Sequence, residues 1–402
     1  MRRPASLVLA VGLVLLAAPV PARAQTAATP CNKDTFQLIP SRPYALSRFG
    51  ALRTWQRTTG EGVVVAVVDS GVDHRNPHLA GAVLPGVSLL PGDPDQNGWT
   101  DATSHGTAVA GTIAARKIKG SGVIGLARDA KILPIRVYEA DDDAALAKKW
   151  QPDAGRIAAG IRIAADRGAR IINVSMSQPT PDPRLDAAVA YALRRGSLVV
   201  ASAGNRQTTT DKRDTPHYPG ASPGALAVGA VDVDDQVAAD SVRGPHVDLV
   251  AVGAEVATSY LDRGDCLLQG DSTSMATGYT SAAAALVAQV YPTATPQEIA
   301  YRLEASADRP VRGARDDARG WGLLQPLDAV TMTLDPTRPG PPVPGGGRAV
   351  RQVAAAQHID VRPRLDPAAP QRSQVVWWLL FGVPAVGLAL LGSWWTSRPT
   401  RP

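Results

Sequence analysis

Three polar side chains occupy positions from which each could take part in nucleophilic catalysis. Asp69 ends the apolar run 63–68, His105 precedes a helical pattern of small residues, and Ser274 opens an alanine-rich helical pattern. A serine attacks a carbonyl when a base removes its proton, and an imidazole serves as that base when a carboxylate orients it. Each residue alone also has a structural interpretation, as a turn residue, a core histidine or a helix N-cap. Only their combination indicates a catalytic triad.

The elements that must position these residues alternate along the chain. Strands are predicted for five apolar runs, at 62–68, 131–137, 170–174, 197–201 and 225–231. Helices are predicted at 106–115, 154–167, 184–194 and 273–290. Continuous apolar runs are typical of parallel strands covered on both faces. We therefore expect an α/β fold, a doubly wound and mostly parallel sheet flanked by helices, with Asp69 at the strand edge where such sheets bind ligands.

The order and local sequence of the three residues resemble those of the subtilisin-like serine proteases. Asp69, His105 and Ser274 stand 36 and then 169 residues apart, in the strings VVDSGVD, SHGTAVAG and STSMA. Further similar segments lie at 171–177, 201–205, 217–219 and 227–232, so the resemblance covers about residues 60–330. It implies the subtilisin-like fold and the activity of a serine endopeptidase.

The resemblance also implies a role for each site residue. Ser274 would be the nucleophile, His105 the general base and Asp69 the carboxylate that fixes the imidazole. The side-chain amide of Asn205 and the backbone N–H of Ser274 would stabilise the oxyanion. The substrate would bind as an added strand along 175–177. The substrate-binding residues expected in full are Ser175, Met176, Ser177, Ser202, Ala203, Gly204 and His217. No metal or other cofactor is expected.

Four positions depart from the usual family pattern. Ser272 replaces a glycine before Thr-Ser, and Gly278 replaces a proline four residues after the serine. Ser272 would crowd its turn if that position needs a positive φ. Ser177 and His217 stand where glycines usually border the primary specificity pocket, and their bulk predicts a preference for small or polar residues before the scissile bond. If His217 instead turns out to solvent, the pocket stays open.

The amino terminus predicts export. Residues 1–24 combine two arginines, the apolar run 7–18 and the cleavage pattern Ala22-Arg23-Ala24, as in a cleaved signal peptide. The alternative, an uncleaved anchor, is disfavoured because the run is shorter than the ~20 residues needed to span a bilayer.

The carboxyl terminus predicts a membrane anchor. Residues 374–396 contain the uncharged run 375–395, bracketed by tryptophan pairs that favour the two membrane interfaces. The alternative, a buried core helix, fits these paired tryptophans poorly. Residues 397–402 would form a short cytoplasmic tail.

Between its ends the chain is expected to hold one catalytic domain and one tether. Residues 25–45 would form an N-terminal extension, too short for a separately folded prodomain, that wraps the protease domain at 46–330. Residues 331–373 are rich in proline and glycine and would form a linker. Cys31 and Cys266 lack metal-ligand spacing and are either one disulfide or two unrelated residues; export to an oxidising compartment favours the disulfide.

Composition limits the classes of protein that remain. The 402 residues are 45% hydrophobic and 19% charged, which excludes intrinsic disorder of the whole chain. The formal net charge of +6 is scattered, without a block of like charges. Nucleic-acid binding is therefore not expected, since it needs clustered cations.

With the signal peptide, the linker and the single terminal helix, the whole chain resembles the mycosins, the membrane-anchored subtilisin-like proteases of actinobacterial type VII secretion systems. That resemblance implies a single-pass cell-membrane protein with an extracytoplasmic catalytic domain, a protein or peptide substrate, and association with the type VII secretion membrane complex. A different class of function also fits the tether: a structural subunit that stabilises a secretion complex with little general proteolysis.

Overall fold

The computed structural model describes residues 31–206, 213–345 and 383–396. The chain divides into two units, Met1–Val350 and Arg351–Pro402. The predicted signal peptide, residues 1–24, and the predicted tail, residues 397–402, lie outside the described residues and stay predictions.

A parallel sheet forms the centre of the first unit. Its strands are β1 Val64–Asp69, β2 Val87–Ser88, β3 Lys131–Arg136, β4 Ile171–Val174, β5 Leu198–Ser202, β6 Leu226–Val231 and β7 Leu249–Val252. Their order is β2-β3-β1-β4-β5-β6-β7, and every neighbouring pair is parallel. Strands β2 and β3 lie on one side of β1, and β4 to β7 follow in order on the other side. The carboxyl end of β1 therefore lies where the strand order reverses. Ligands bind at such points in open α/β sheets.

Helices cover both faces of this sheet. The helices of the first unit are α1 Tyr44–Arg48, α2 Ala51–Thr54, α3 His105–Ala114, α4 Asp143–Lys148, α5 Ala154–Asp166, α6 Pro183–Arg194, α7 Thr273–Val290, α8 Pro296–Ser306 and α9 Pro326–Thr331. One apolar core contains α3 and α7, and a second contains α5 and α6. All residues of α7 from Thr273 to Ala288 are buried, as expected for a helix that is apolar or small on every side.

The observed elements confirm the predicted α/β fold with its mostly parallel sheet. The five predicted strands appear as β1, β3, β4, β5 and β6, and the four predicted helices appear as α3, α5, α6 and α7. The sequence patterns missed the short strands β2 and β7. They also missed an antiparallel hairpin of β8 Val256–Ser259 and β9 Asp265–Leu268.

The N-terminal extension is fastened to this hairpin. A disulfide joins Cys31 to Cys266 in β9, which confirms the favoured pairing of the two cysteines. Gln37 forms two backbone hydrogen bonds around the start of this hairpin strand. Its carbonyl accepts from the N–H of Asp265 at 2.8 Å, and its N–H donates to the carbonyl of Arg263 at 3.0 Å. The N–H of Ile39 donates to the Asp265 carboxylate at 2.7 Å. The described part of the extension therefore packs along the protease domain.

Two segments near the predicted tether are described. Met332 is buried with Tyr301 of α8, and Val343 packs against the same cluster, so the chain still contacts α8 beyond residue 331. In the second unit, α10 comprises Val383–Thr396. Within the described ranges, no helix is both long enough and apolar enough to cross a membrane. The first nine residues of the predicted span 374–396 lie outside these ranges, so the span stays a prediction.

Candidate active site

Strand β1 carries Asp69 to the reversal point of the sheet. Its side chain is fully buried, and Oδ1 accepts hydrogen bonds from the backbone N–H of Ser70 at 2.7 Å and from Nδ1 of His105 at 2.7 Å. The hydroxyl of Tyr138 donates to the same oxygen at 3.2 Å. The structure thus brings together the aspartate and the histidine selected from the sequence. The Asp69 bond requires the proton of the neutral imidazole to be on Nδ1, which leaves Nε2 as the basic nitrogen.

A buried carboxylate fixes the start of α3, where His105 is the first residue. Asp101 accepts the N–H groups of Ser104 and Thr107 at 2.9 Å each, and the Thr107 hydroxyl at 2.6 Å. Ser104 adopts a left-handed φ of 68°, which turns the chain into the helix. Asp101 therefore caps α3 from three residues before the N-cap, and it restrains the helix turn that carries His105.

Ser70 links this cap to the strand end. Its hydroxyl donates to Asp101 at 2.9 Å and accepts from the N–H of Gly106 at 3.0 Å. Ser70 directly follows Asp69, and Gly106 directly follows His105. The Ser70 hydroxyl therefore connects the segment that carries Asp69 with the segment that carries His105, and this helps to fix the distance between the two side chains. Sequence reasoning missed Asp101 and Ser70. Asp101 stands three residues before the N-cap Ser104, outside the position where a side-chain cap is usually expected.

Two carboxylates and burial act in opposite directions on His105. Burial lowers the pKa of the imidazole, whereas the charge of Asp69, its hydrogen bond and the charge of Asp101 together raise that pKa above its ordinary value. The imidazolium that forms when His105 accepts a proton is thus stabilised. This is the electrostatic environment that a general base needs.

Ser274 is the second residue of α7, at the amino end of the helix. Its side chain is buried, and its hydroxyl donates to the carbonyl of Ser175 at 2.9 Å. In return the Ser175 hydroxyl donates to the carbonyl of Ser274 at 3.0 Å. The structure therefore places the predicted nucleophile against the end of β4, with its hydroxyl on Ser175 and not on His105.

Asn205 faces the start of α7. Its Oδ1 accepts the N–H of Thr273 at 3.1 Å and the Thr273 hydroxyl at 2.9 Å. A backbone N–H can only donate, so the amide oxygen must point to Thr273, and Nδ2 is the donor presented on the other side of the group. Ser202 and Gly204 support this arrangement, because the Ser202 hydroxyl bonds Thr273 at 2.7 Å and accepts the Gly204 N–H at 3.1 Å.

The two departures beside Ser274 are accommodated locally. Ser272 has φ −147° and ψ 111°, an extended conformation that any residue adopts, so its side chain creates no backbone strain. Gly278 lies where α7 meets α3, and a Cβ there would come within 2.2 Å of the Thr112 hydroxyl. Glycine therefore permits the close approach of the two helices that carry His105 and Ser274.

The predicted substrate segment follows β4. Gln178 and Tyr218 exchange backbone hydrogen bonds of 3.0 and 2.8 Å, which sets 175–178 beside 217–219. Ser175 is buried, whereas Met176 and Ser177 are partly exposed, and Ala203 is buried. The backbone along 175–177 therefore runs next to Ser274, as an added substrate strand requires.

His217 lies inside the protein. Its side chain is fully buried, and Nδ1 lies 2.9 Å from the carbonyl of Thr215. Its imidazole lies flat against Gly204, where a Cβ would approach the His217 Cγ to 2.6 Å. The imidazole is therefore not turned out to solvent, and the preference for small or polar residues before the scissile bond stays a prediction.

Comparison with known proteins places these observations in a family. Residues 60–322 match the subtilase family, Peptidase S8. Subtilisin BL of Lederbergia lenta is 36% identical over 269 residues, which are 66% of this chain and 91% of that protein. Two solved structures are also similar. MycP1 from the ESX-1 type VII secretion system is 26% identical with a TM-score of 0.63, covering 78% of this chain and 92% of its own. The MycP3 protease from the type VII (ESX-3) secretion system is 28% identical with a TM-score of 0.62. The match covers 74% of this chain and 92% of the MycP3 chain.

Proposed function

This chain belongs to the subtilase family of serine endopeptidases, and we propose that Asp69, His105 and Ser274 form its catalytic triad. The observation that carries the proposal is the 2.7 Å bond between the buried Asp69 carboxylate and Nδ1 of His105 at the reversal point of the sheet. The reaction is hydrolysis of a peptide bond. No cofactor is required for it.

The reaction begins when a peptide binds along 175–177 as an added strand. A backbone N–H of the peptide can bind the carbonyl of Ser175, the acceptor that the Ser274 hydroxyl occupies in the free enzyme. Substrate binding then releases the Ser274 hydroxyl to Nε2 of His105. This exchange couples activation of the nucleophile to occupation of the site.

The chemical step follows from the charges around the site. His105 accepts the Ser274 proton as the oxygen attacks, and Asp69 stabilises the imidazolium. The Nδ2 of Asn205 and the N–H of Ser274 stabilise the oxyanion, assisted by the positive end of the α7 dipole. Removal of one oxyanion donor typically costs about 3 to 4 kcal/mol of barrier. His105 then returns the proton to the leaving amine.

We place this enzyme on the extracytoplasmic face of the cell membrane, attached by residues 374–396 after cleavage of the signal peptide 1–24. The apolar terminal segment and its tryptophan pairs support the anchor. Similarity to MycP1 and MycP3, which belong to type VII secretion systems, supports association with such a membrane complex and a protein substrate. The second candidate is a structural subunit of that complex with little general proteolysis; the Ser274 hydroxyl bound to Ser175 favours it.

Fluorophosphonate labelling of the full chain in membranes separates the two functions. We expect labelling of the wild type and its loss in Ser274→Ala and His105→Ala, since nucleophile and base act as a unit. Ser47→Ala, at an exposed position of α1, is the control and should label normally. Labelling that survives Ser274→Ala would contradict the triad. A folded wild type that resists labelling would favour the structural subunit.

A further inference from the structure

Tyr138 supplies a third donor to the Asp69 carboxylate. The pairing of β1 with β3 extends one residue past Arg136, because the N–H of Val137 donates to the Asp69 carbonyl at 2.9 Å. The next residue, Tyr138, therefore lies beside the Asp69 side chain. The residue is only 9% exposed and belongs to the apolar core that contains α5 and α6. Packing of the ring thus holds the hydroxyl in place.

The hydrogen bonds to Asp69 are distributed unevenly between its oxygens. Oδ1 accepts from Ser70, His105 and Tyr138, whereas the buried Oδ2 accepts none from the residues that the structure describes. Tyr138 and His105 therefore share one oxygen. Each donor to a carboxylate stabilises its charge and reduces the field that the carboxylate exerts on the others.

The Tyr138 hydroxyl acts as a donor at every working pH. Burial, followed by the charges of Asp69 and Asp101, raises the pKa of Tyr138 well above its ordinary value. The phenol stays protonated, and the carboxylate can only accept. The direction of this hydrogen bond is therefore fixed.

We propose that Tyr138 is a positioning residue of the active site, whose hydroxyl orients Asp69 and moderates the attraction between Asp69 and the His105 imidazolium. The proposal rests on the proposed triad. Without the hydroxyl, the negative charge of Asp69 acts more fully on His105, which then keeps its proton to higher pH. The enzyme with Tyr138 can accordingly work at lower pH than one without it.

Other charged groups also face this part of the site, from the end of β1, the segment before α3 and the end of β3. They are Asp73 paired with Arg75, the carboxylate Asp101, and Arg136 paired with Asp93 and Glu139. Substitution of Tyr138 by phenylalanine removes a hydroxyl and leaves these charges in place. A shift in the titration of His105 would therefore report on the hydroxyl.

The test is Tyr138→Phe in the full chain in detergent, with histidine labelled by ¹³C at Cε1. The chain has six histidines, and the His105 signal is assigned by its loss in His105→Gln. We expect the titration midpoint of His105 to rise by about half a unit, and the acid limb of kcat/KM to move upward with it. Tyr191→Phe is the matched control, because the Tyr191 hydroxyl also donates to a carboxylate, that of Asp166 on the surface.

Two results would overturn the proposal: a His105 midpoint equal in Tyr138→Phe and Tyr191→Phe, or a midpoint that falls. The titration needs no turnover, so it is repeated in a Ser274→Ala background. If Ser274→Ala remained active, the triad assignment would fail while the titration still tested Tyr138. If Ser274→Ala is inactive and the midpoint is unmoved, only the role of Tyr138 fails. Unchanged thermal unfolding of Tyr138→Phe would show that ring packing is retained.

Discussion

Replacement of His217 by glycine should enlarge the space that receives the side chain before the scissile bond. In the wild type the imidazole is fully buried against Gly204, and we expect it to fill part of this space. Ser177, on the predicted substrate segment, is expected to add further bulk. We therefore expect the wild-type enzyme to prefer small or polar residues at this substrate position, and His217→Gly to accept an aromatic residue there.

The size of the change follows from the area that a bound aromatic ring would bury. A phenylalanine side chain removes on the order of 150 Å² from water, which corresponds to about 4 kcal/mol at ~25 cal/mol per Å². Because Ser177 remains and the new cavity does not match the ring, we expect about half of this, ~2 kcal/mol. The ratio of kcat/KM for phenylalanine over alanine should then rise about 30-fold.

Profiling the full chain on a peptide library that varies this single position measures the ratio. His74→Gly is the control, since the His74 ring stacks on Trp99 with a centroid distance of 4.4 Å and His217 is untouched. Its profile should match the wild type. A wild-type enzyme that already prefers phenylalanine, tyrosine or leucine would refute the reasoning, as would an unchanged ratio in His217→Gly.

Two further substitutions test the charge near the base and the covalent fastening of the extension. Asp101→Asn removes a charge that raises the pKa of His105. The acid limb of kcat/KM should therefore move to lower pH, in the direction opposite to that expected for Tyr138→Phe. An upward shift of the acid limb would contradict this prediction. Replacing Cys31 and Cys266 by serine opens a loop with a sequence separation of 235. This should lower the free energy of unfolding by about 2 to 4 kcal/mol in denaturant titration. Unchanged stability would contradict this prediction.

The fold could be predicted from the sequence because the central strands have clear hydrophobic patterns. Runs such as residues 64–68 lie in strands buried on both faces, so they are continuously apolar and stand out from the surrounding sequence. Strand β7, Leu249–Val252, has only four residues and no helix pattern directly after it, so its pairing depends on tertiary contacts that a local pattern does not contain. The hairpin strands β8 and β9 are equally short.

In the site, too, the sequence predicts residues that stand in local motifs but not the contacts between residues that are distant in sequence. Asp69, His105 and Ser274 were found because each stands in a distinctive local string. The bond from Ser274 to the Ser175 carbonyl joins residues 99 positions apart, and that from Tyr138 to Asp69 joins residues 69 positions apart. Such contacts follow from the order of the strands, which places the ends of β1, β3 and β4 side by side. No local pattern at Tyr138 distinguishes a donor to a carboxylate from an ordinary core tyrosine.

The disulfide between Cys31 and Cys266 determines what happens to the molecule when its backbone is cut once between these residues. It makes the chain from 31 to 266 a covalent circle that contains Asp69 and His105, while Ser274 lies eight residues beyond the circle's exit. A single nick within the circle opens it but releases no fragment. Aspartate, histidine and serine then remain in one molecule, which would separate into two pieces only under reducing conditions. Such a circle would keep the proposed base and the proposed nucleophile in one molecule after a single cut.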